Sequence, residues 1–220
     1  FETVDRSLGC LTHLVNNAGI VGPASRLADA DIARIERVVA VDLVGAMIVA
    51  REAVRRMAKS RGGEGGVIVN VSSPGHQVPN VAYAAGKAAT DRLAAEMAGQ
   101  LKPRGVAVFS LWPGLVRTEF LLAAARATQD GRRVLDFPDG RALDVSRAET
   151  PRFIGRGVVG LATDPHRLDR FGGVETTAGL AERTTNAQPA GLSAPRATVR
   201  STDDAMRYGA LSSTPPSVRR

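Results

Sequence analysis

Cysteine is almost missing from this chain: Cys10 is the only one. A lone cysteine excludes an internal disulfide and fits a reducing, cytoplasmic setting, where it reads as small apolar filler. The three histidines, His13, His76 and His166, share no ligand spacing, so no metal site is expected. His76, in the loop that precedes a tyrosine discussed below, reads as a solvated side chain or a substrate contact. Aromatic residues make up only 4%, and no block of lysine or arginine occurs despite a net charge of +7. Scattered charge without stacking residues argues for a solvated surface and against nucleic-acid binding. No apolar run approaches the ~18–20 residues of a membrane span. The first residues, FETVDR, carry neither the basic nor the apolar region of a signal peptide. They carry no initiator methionine either, which is expected of a fragment or a misplaced start.

What is present is an Ala/Val/Leu/Gly-rich composition, 44% apolar, long enough for one domain. Leu11–Val15 reads as a short buried strand running into the turn Asn16-Asn17-Ala18-Gly19. From Asp31 to Lys59, Ile32, Ile35, Val38, Val39, Leu43, Met47, Val54 and Met57 recur at helical spacing, as one long helix or two joined. Val67–Val71 is β-branched and apolar on nearly every residue, the mark of a parallel strand covered on both faces. An Ala-rich helix is predicted over Tyr83–Leu101, a further buried strand over Val106–Leu111, and a helix from Thr150-Pro151 to about Thr163. Gly173–Ala178 reads as a last strand. This alternation predicts an α/β fold with a parallel sheet. From Glu182 to Arg220, Ser, Thr, Ala, Pro and Arg dominate without periodicity. The expected organisation is therefore a domain over 1–181 and a disordered tail over 182–220.

Tyr83 and Lys87 stand four apart and share a helix face. A nearby ammonium favours phenolate and is expected to bring the tyrosine's pKa down, making it a usable general acid or base. Ser72 and Ser73, at the end of the preceding strand, are placed to polarise the same substrate oxygen. An isolated Tyr-x-x-x-Lys is weak evidence, because many helices carry one by chance.

Four segments together are more specific: LVNNAG (Leu14–Gly19), GGVIVNVSS (Gly65–Ser73), YAAGK (Tyr83–Lys87) and WPGLVRTEF (Trp112–Phe120). In order and spacing the chain resembles the short-chain dehydrogenases/reductases over roughly residues 1–181. The resemblance implies a Rossmann-like, doubly wound parallel sheet, of which this stretch carries the second half only. It implies an oxidoreductase that interconverts a small-molecule alcohol and a carbonyl with NAD or NADP. Tyr83 would be the acid/base and a cofactor contact, Lys87 its partner and a contact of the nicotinamide ribose, and Ser73 the substrate-orienting serine, with Ser72 as fallback. Asn17, Ala18 and Gly19 would pass near the adenosine side of the cofactor, with Asn16 holding the strand. Pro113, Gly114 and Val116 would lie along the nicotinamide, with Thr118 near its carboxamide. Trp112 would pack the sheet end or wall that pocket, Leu121–Leu143 would form a substrate lid, and the helices of Asp31–Lys59 and Tyr83 would form a homodimer or homotetramer interface.

Three departures from the family pattern stand out. Asp42 replaces an asparagine of the long helix, and either keeps that residue's backbone role or has no catalytic duty. Ser73 stands closer to Tyr83 than is usual. The first strands and the glycine-rich phosphate loop are missing, which leaves Leu11–Val15 as an expected edge strand and the choice of NAD or NADP unreadable. Gly155–Gly160 spells G-x-G-x-x-G but sits inside a predicted helix with no strand before it, so it reads as small residues for close packing. A second reading therefore stands beside the first: an inactive relative, or a dimerisation or interaction module.

Overall fold

The computed structural model describes residues 1–22, 26–74, 80–136, 140, 142–170 and 172–186. In chain order the elements are α1 (Glu2–Leu8), β1 (His13–Asn16), α2 (Ile32–Val39), a π-helical segment (Ala40–Gly45), α3 (Ala46–Met57), β2 (Gly66–Val71), α4 (Val81–Leu101) and β3 (Val106–Trp112). Then come α5 (Glu119–Ala124), β4 (Arg126–Ala127), β5 (Arg133–Asp136), β6 (Ala142–Asp144), α6 (Pro151–Thr163), β7 (Val174–Thr176) and α7 (Thr177–Asn186).

The main sheet has the order β1-β2-β3-β7, with every neighbouring pair parallel. Residue-by-residue apolarity in β2 and β3 has the reason expected of it: helices cover both faces. Alternate side chains divide between two cores. Ile68, Val106 and Val108 pack with Met57 of α3 and Ala94, Ala98 and Leu101 of α4. Val67, Val69, Phe109 and Leu111 pack with Leu161 of α6 and Leu180 of α7. Phe109 is fully buried in the second cluster, a burial that contributes ~2–3 kcal/mol. The α/β, Rossmann-like reading holds. Among the described residues no strand precedes β1.

Several boundaries and characters differ from expectation. β1 lies at the edge of the sheet, as expected without preceding strands, and is therefore only half-buried rather than the buried strand its apolar run suggests, with Val15 47% exposed. The stretch from Asp31 to Lys59 is two helices joined, as expected, but the joint has a character of its own. A π-helical turn joins α2 to α3, and its wider backbone spacing turns Asp42 inward to 2% exposure. Residues 121–143 hold the end of α5 and most of a three-stranded antiparallel sheet, β4-β5-β6. Strand β7 ends at Thr176, and α7 continues to Asn186, past the boundary drawn at 182. The remainder of the predicted tail, 187–220, lies outside the described residues.

The Gly155–Gly160 motif lies within α6, whose start is capped by Thr150, its Oγ1 accepting from Phe153 N at 3.1 Å. Gly157 is buried, and a Cβ there would meet Thr177 Cγ2 at 3.4 Å and Leu180 Cδ1 at 3.5 Å. It brings α6 close to α7, which is a packing role. Gly155 and Gly160 face open space.

Candidate active site

Parallel strands direct their carboxyl ends to one side, and the loops leaving them form the crevice of an open α/β sheet. Here those loops are Asn17-Ala18-Gly19 after β1, Ser72-Ser73 after β2 and Pro113-Gly114 after β3. Helix α4 brings Tyr83 and Lys87 up against the same edge. Its buried stripe, Gly86, Lys87, Thr90, Ala94, Ala98 and Leu101, follows helical periodicity and is mostly small, so the helix packs closely on β3.

The helix starts two residues earlier than its periodicity suggests. Asn80 is the cap: its Oδ1 accepts from Tyr83 N at 3.1 Å, and its Nδ2 donates to Val21 O at 2.8 Å. One side chain therefore fixes both the Tyr83 turn and the chain beyond β1. An asparagine ahead of an Ala-rich run is the signal that points to it.

The Ser73 side chain lies within reach of Tyr83 and favours its phenolate, so the shorter spacing still brings the two together. Ser72 is buried, and its Oγ donates to Lys87 O at 3.0 Å, which occupies its proton. Lys87 is 7% exposed; its Nζ donates to Val71 O at 2.9 Å and lies 5.6 Å from the centre of the Tyr83 ring. Gly19 covers it: a Cβ there would come within 3.3 Å of Lys87 Nζ. Asn17 and Ala18 are exposed. Asn16 ties β1 inward, its Nδ2 donating to Ala46 O at 2.9 Å and Asn70 Oδ1 at 3.2 Å. His76 lies outside the described residues.

The electrostatics depart from expectation. Tyr83 is held above the ordinary phenol pKa, chiefly by burial, with the Ser73 hydrogen bond opposing and the Asp42 carboxylate adding to the rise. The Lys87 ammonium does not reverse this rise. Burial also pushes Lys87 down, while Asp42 and Asp91 pull it back up. Asp42 is pushed up by burial, opposed by the Ile20 N–H and by Lys87.

The loop after β3 is held by two carboxylates that local patterns do not reveal. Asp91, one turn beyond Lys87 on α4, accepts from Trp112 Nε1 at 3.1 Å and from the Ser110 hydroxyl. The indole N–H of a half-buried tryptophan needs such an acceptor, and that is the signal that was available. Glu149 Oε2 accepts from Gly114 N at 3.0 Å and from Thr177 Oγ1 at 2.7 Å, and Glu149 forms a parallel bridge with Val116. Thr118 caps α5, its Oγ1 accepting from Leu121 N at 3.3 Å. No group of three or more His, Cys, Asp or Glu suited to a metal occurs among the described residues, and no described helix is long and apolar enough to cross a membrane.

Comparison with known proteins bears on the family and the fold. A family profile described as short chain dehydrogenase matches residues 1–129. The mouse protein named Dehydrogenase/reductase SDR family member 1 is 46% identical over 120 residues, covering 54% of this chain and 38% of the mouse protein. The uncharacterized oxidoreductase YgfF of Escherichia coli is 34% identical over 155 residues, 67% of this chain and 63% of that protein. The chain thus spans less than two thirds of these relatives. A solved 7α-hydroxysteroid dehydrogenase complexed with NADH and 7-oxo glycochenodeoxycholic acid superposes with a TM-score of 0.64 at 23% identity, over 81% of this chain and 66% of that one. A 4-hydroxyisoleucine dehydrogenase complexed with NADH gives 0.61 at 24% identity, over 80% and 71%. At such identities the likeness speaks to the fold.

Proposed function

We propose, on the premise that the chain belongs to the short-chain dehydrogenase family, that it interconverts a small-molecule alcohol and a carbonyl compound with NAD or NADP. The observation that carries this reading is the convergence of Ser73, Tyr83 and Lys87 at the carboxyl ends of β1–β3, with the Ser73 side chain within reach of Tyr83.

The residues present fit the nicotinamide end of such a cofactor. Gly19 leaves a space beside Lys87 Nζ that a side chain would fill. The ammonium has three protons, and Val71 O takes one of them. Lys87, Asn17, Ala18, Gly19, Pro113, Gly114, Val116 and Thr118 would hold the cofactor, and once bound it supplies or accepts the hydride. In alcohol oxidation Ser73 Oγ orients the substrate hydroxyl, and Tyr83 Oη takes its proton. In the reverse direction Tyr83 returns that proton to the carbonyl oxygen. Lys87 steadies the charge that Tyr83 carries between the two states. A homodimer or homotetramer through α3 and α4 suits the exposed Met47 and Ile48. The exposed, free Cys10 suits a cytoplasmic setting. The same exposed faces would serve the second reading, an interaction module without turnover.

The test is alcohol-dependent reduction of NAD or NADP by the purified chain, beside Ser73→Ala. Turnover is expected, and Ser73→Ala is expected to lower it roughly 10–100-fold, the weight of one hydrogen bond to a charged oxygen. Turnover that Ser73→Ala leaves unchanged would remove the serine from the mechanism. Absence of turnover across a panel of secondary alcohols with both cofactors would favour the second reading.

A further inference from the structure

The π-helical segment carries one carboxylate, Asp42, into the wall of the site. Its Oδ1 accepts from Ile20 N at 2.8 Å, and its Oδ2 has no hydrogen-bond partner among the described residues. Its Cβ lies 3.4 Å from where a Cβ on Gly86 would stand, so Asp42 packs against the middle of the YAAGK turn. On its other side, a Cβ on Gly19 would stand 3.5 Å from Asp42 Oδ1 and 3.3 Å from Lys87 Nζ. Thr90 Oγ1 reaches Asp42 O at 3.3 Å. Asp42 is thus enclosed by the turn after β1 and by α4.

The titratable groups that act on it or on its neighbours all come from α4: Tyr83, Lys87 and, beside Lys87, Asp91. The turn after β1 contributes only the Ile20 N–H, and the π-helical segment has no second charge. A buried carboxylate with one oxygen unquenched acts on its neighbours through a poorly screening interior.

We propose that Asp42 is a positioning residue of the reaction, and that its charge, beneath the Tyr83–Lys87 pair, sets the pH range in which the site works. The inference rests on the oxidoreductase reading above. The carboxylate favours the ammonium form of Lys87 against the burial that pushes Lys87 down, and at Tyr83 it adds to the rise that burial imposes, opposing phenolate. The Ile20 N–H and the Lys87 ammonium favour the charged form of Asp42 against its burial. The position is therefore more than a helix-interior filler. An asparagine there would keep the contact to Ile20 and lose the charge.

The chain has two tyrosines, Tyr83 and Tyr208, so Tyr208→Phe leaves Tyr83 as the only phenol to titrate. Phenolate absorbance is followed against pH in this background with and without Asp42→Asn, with circular dichroism at each pH to show that the fold persists. Asp42→Asn is expected to lower the Tyr83 midpoint by about one pH unit and to move the pH profile of turnover the same way. Asp42→Ser, which also removes the charge, is expected to act alike and stands in if the asparagine variant does not fold. A midpoint that stays in place or rises overturns the inference. Because the titration needs no catalysis, the two readings fail separately. A lowered midpoint without turnover supports the hold of Asp42 on Tyr83 and counts against the oxidoreductase reading, whereas turnover with an unmoved midpoint does the reverse.

Discussion

Tyr83→Phe is expected to lower turnover by roughly 10²–10⁴-fold, the range that a positioned general acid or base contributes. The substitution removes one oxygen and leaves the half-buried ring against Lys87 and the Asn80 cap. Ser73 keeps its place after β2. Stability should therefore change little, and so should cofactor affinity, because Lys87 and the loop residues that would hold the cofactor all remain. The measurement is kcat and KM for alcohol oxidation beside a cofactor titration and thermal unfolding. A fall in kcat with unchanged cofactor affinity and melting temperature is the expected result. A variant that turns over at the parent rate would take the proton-transfer role from Tyr83. Because Tyr83 is held above the ordinary phenol value, the basic form needed for oxidation accumulates as pH rises. Oxidation by the parent chain should accordingly strengthen toward alkaline pH, and carbonyl reduction should persist at neutral pH, where the phenol is protonated.

Gly66→Ala is expected to be the most damaging single change to the fold. Gly66 opens β2, and a Cβ there would stand 2.1 Å from Thr12 O. The obstacle is backbone, so no side chain can swing aside. Thr12 O is also the acceptor of the Val67 N–H, at 2.9 Å, in the ladder that joins β1 to β2. Relieving the clash pushes β1 outward, and β1 carries the Asn17-Ala18-Gly19 turn over Lys87. Overpacking of this kind costs about 3 kcal/mol, which for a chain of this size lowers the melting temperature by roughly 6–12 °C. Thermal unfolding of the variant measures it. An unchanged melting temperature would mean that β1 moves freely against β2, and that the Asn16 contacts to Ala46 and Asn70 do not hold it.

How much of this was legible in the sequence follows from how far each interaction reaches along the chain. β2 and β3 were legible because both faces of each strand are covered, which leaves an unbroken apolar run. The Tyr83 helix, the Thr150 cap and the packing role of Gly157 were legible from local spacing. Ser73, Tyr83 and Lys87 could be named in advance, and the fold does gather them. The Asp42 turn was not legible, because a π-helical step shifts hydrogen bonds without disturbing the apolar pattern around it. The Glu149 anchor was not legible either: it binds Gly114 and Thr177, far from it in sequence, and nothing around Glu149 sets it apart. The charge state of Tyr83 was misjudged for a related reason. Spacing puts Lys87 on the same face as Tyr83, but burial and the distant Asp42 decide the direction of the shift. The burial of β1 shows the same limit from the other side: its apolar run looks like that of β2, and only the family pattern of sheet order pointed to its place at the edge.

The central claim is that the carboxyl ends of β1, β2 and β3 form a nicotinamide site over Tyr83 and Lys87. Trp112 is the chain's single tryptophan and directly precedes Pro113-Gly114, so it is a built-in reporter. The most direct measurement titrates the purified chain with NADH and with NADPH, excites Trp112, and reads energy transfer to the bound dihydronicotinamide. The account predicts saturable transfer with at least one of the two and its marked weakening in Lys87→Ala. Titrations that show no saturable transfer with either cofactor would contradict it.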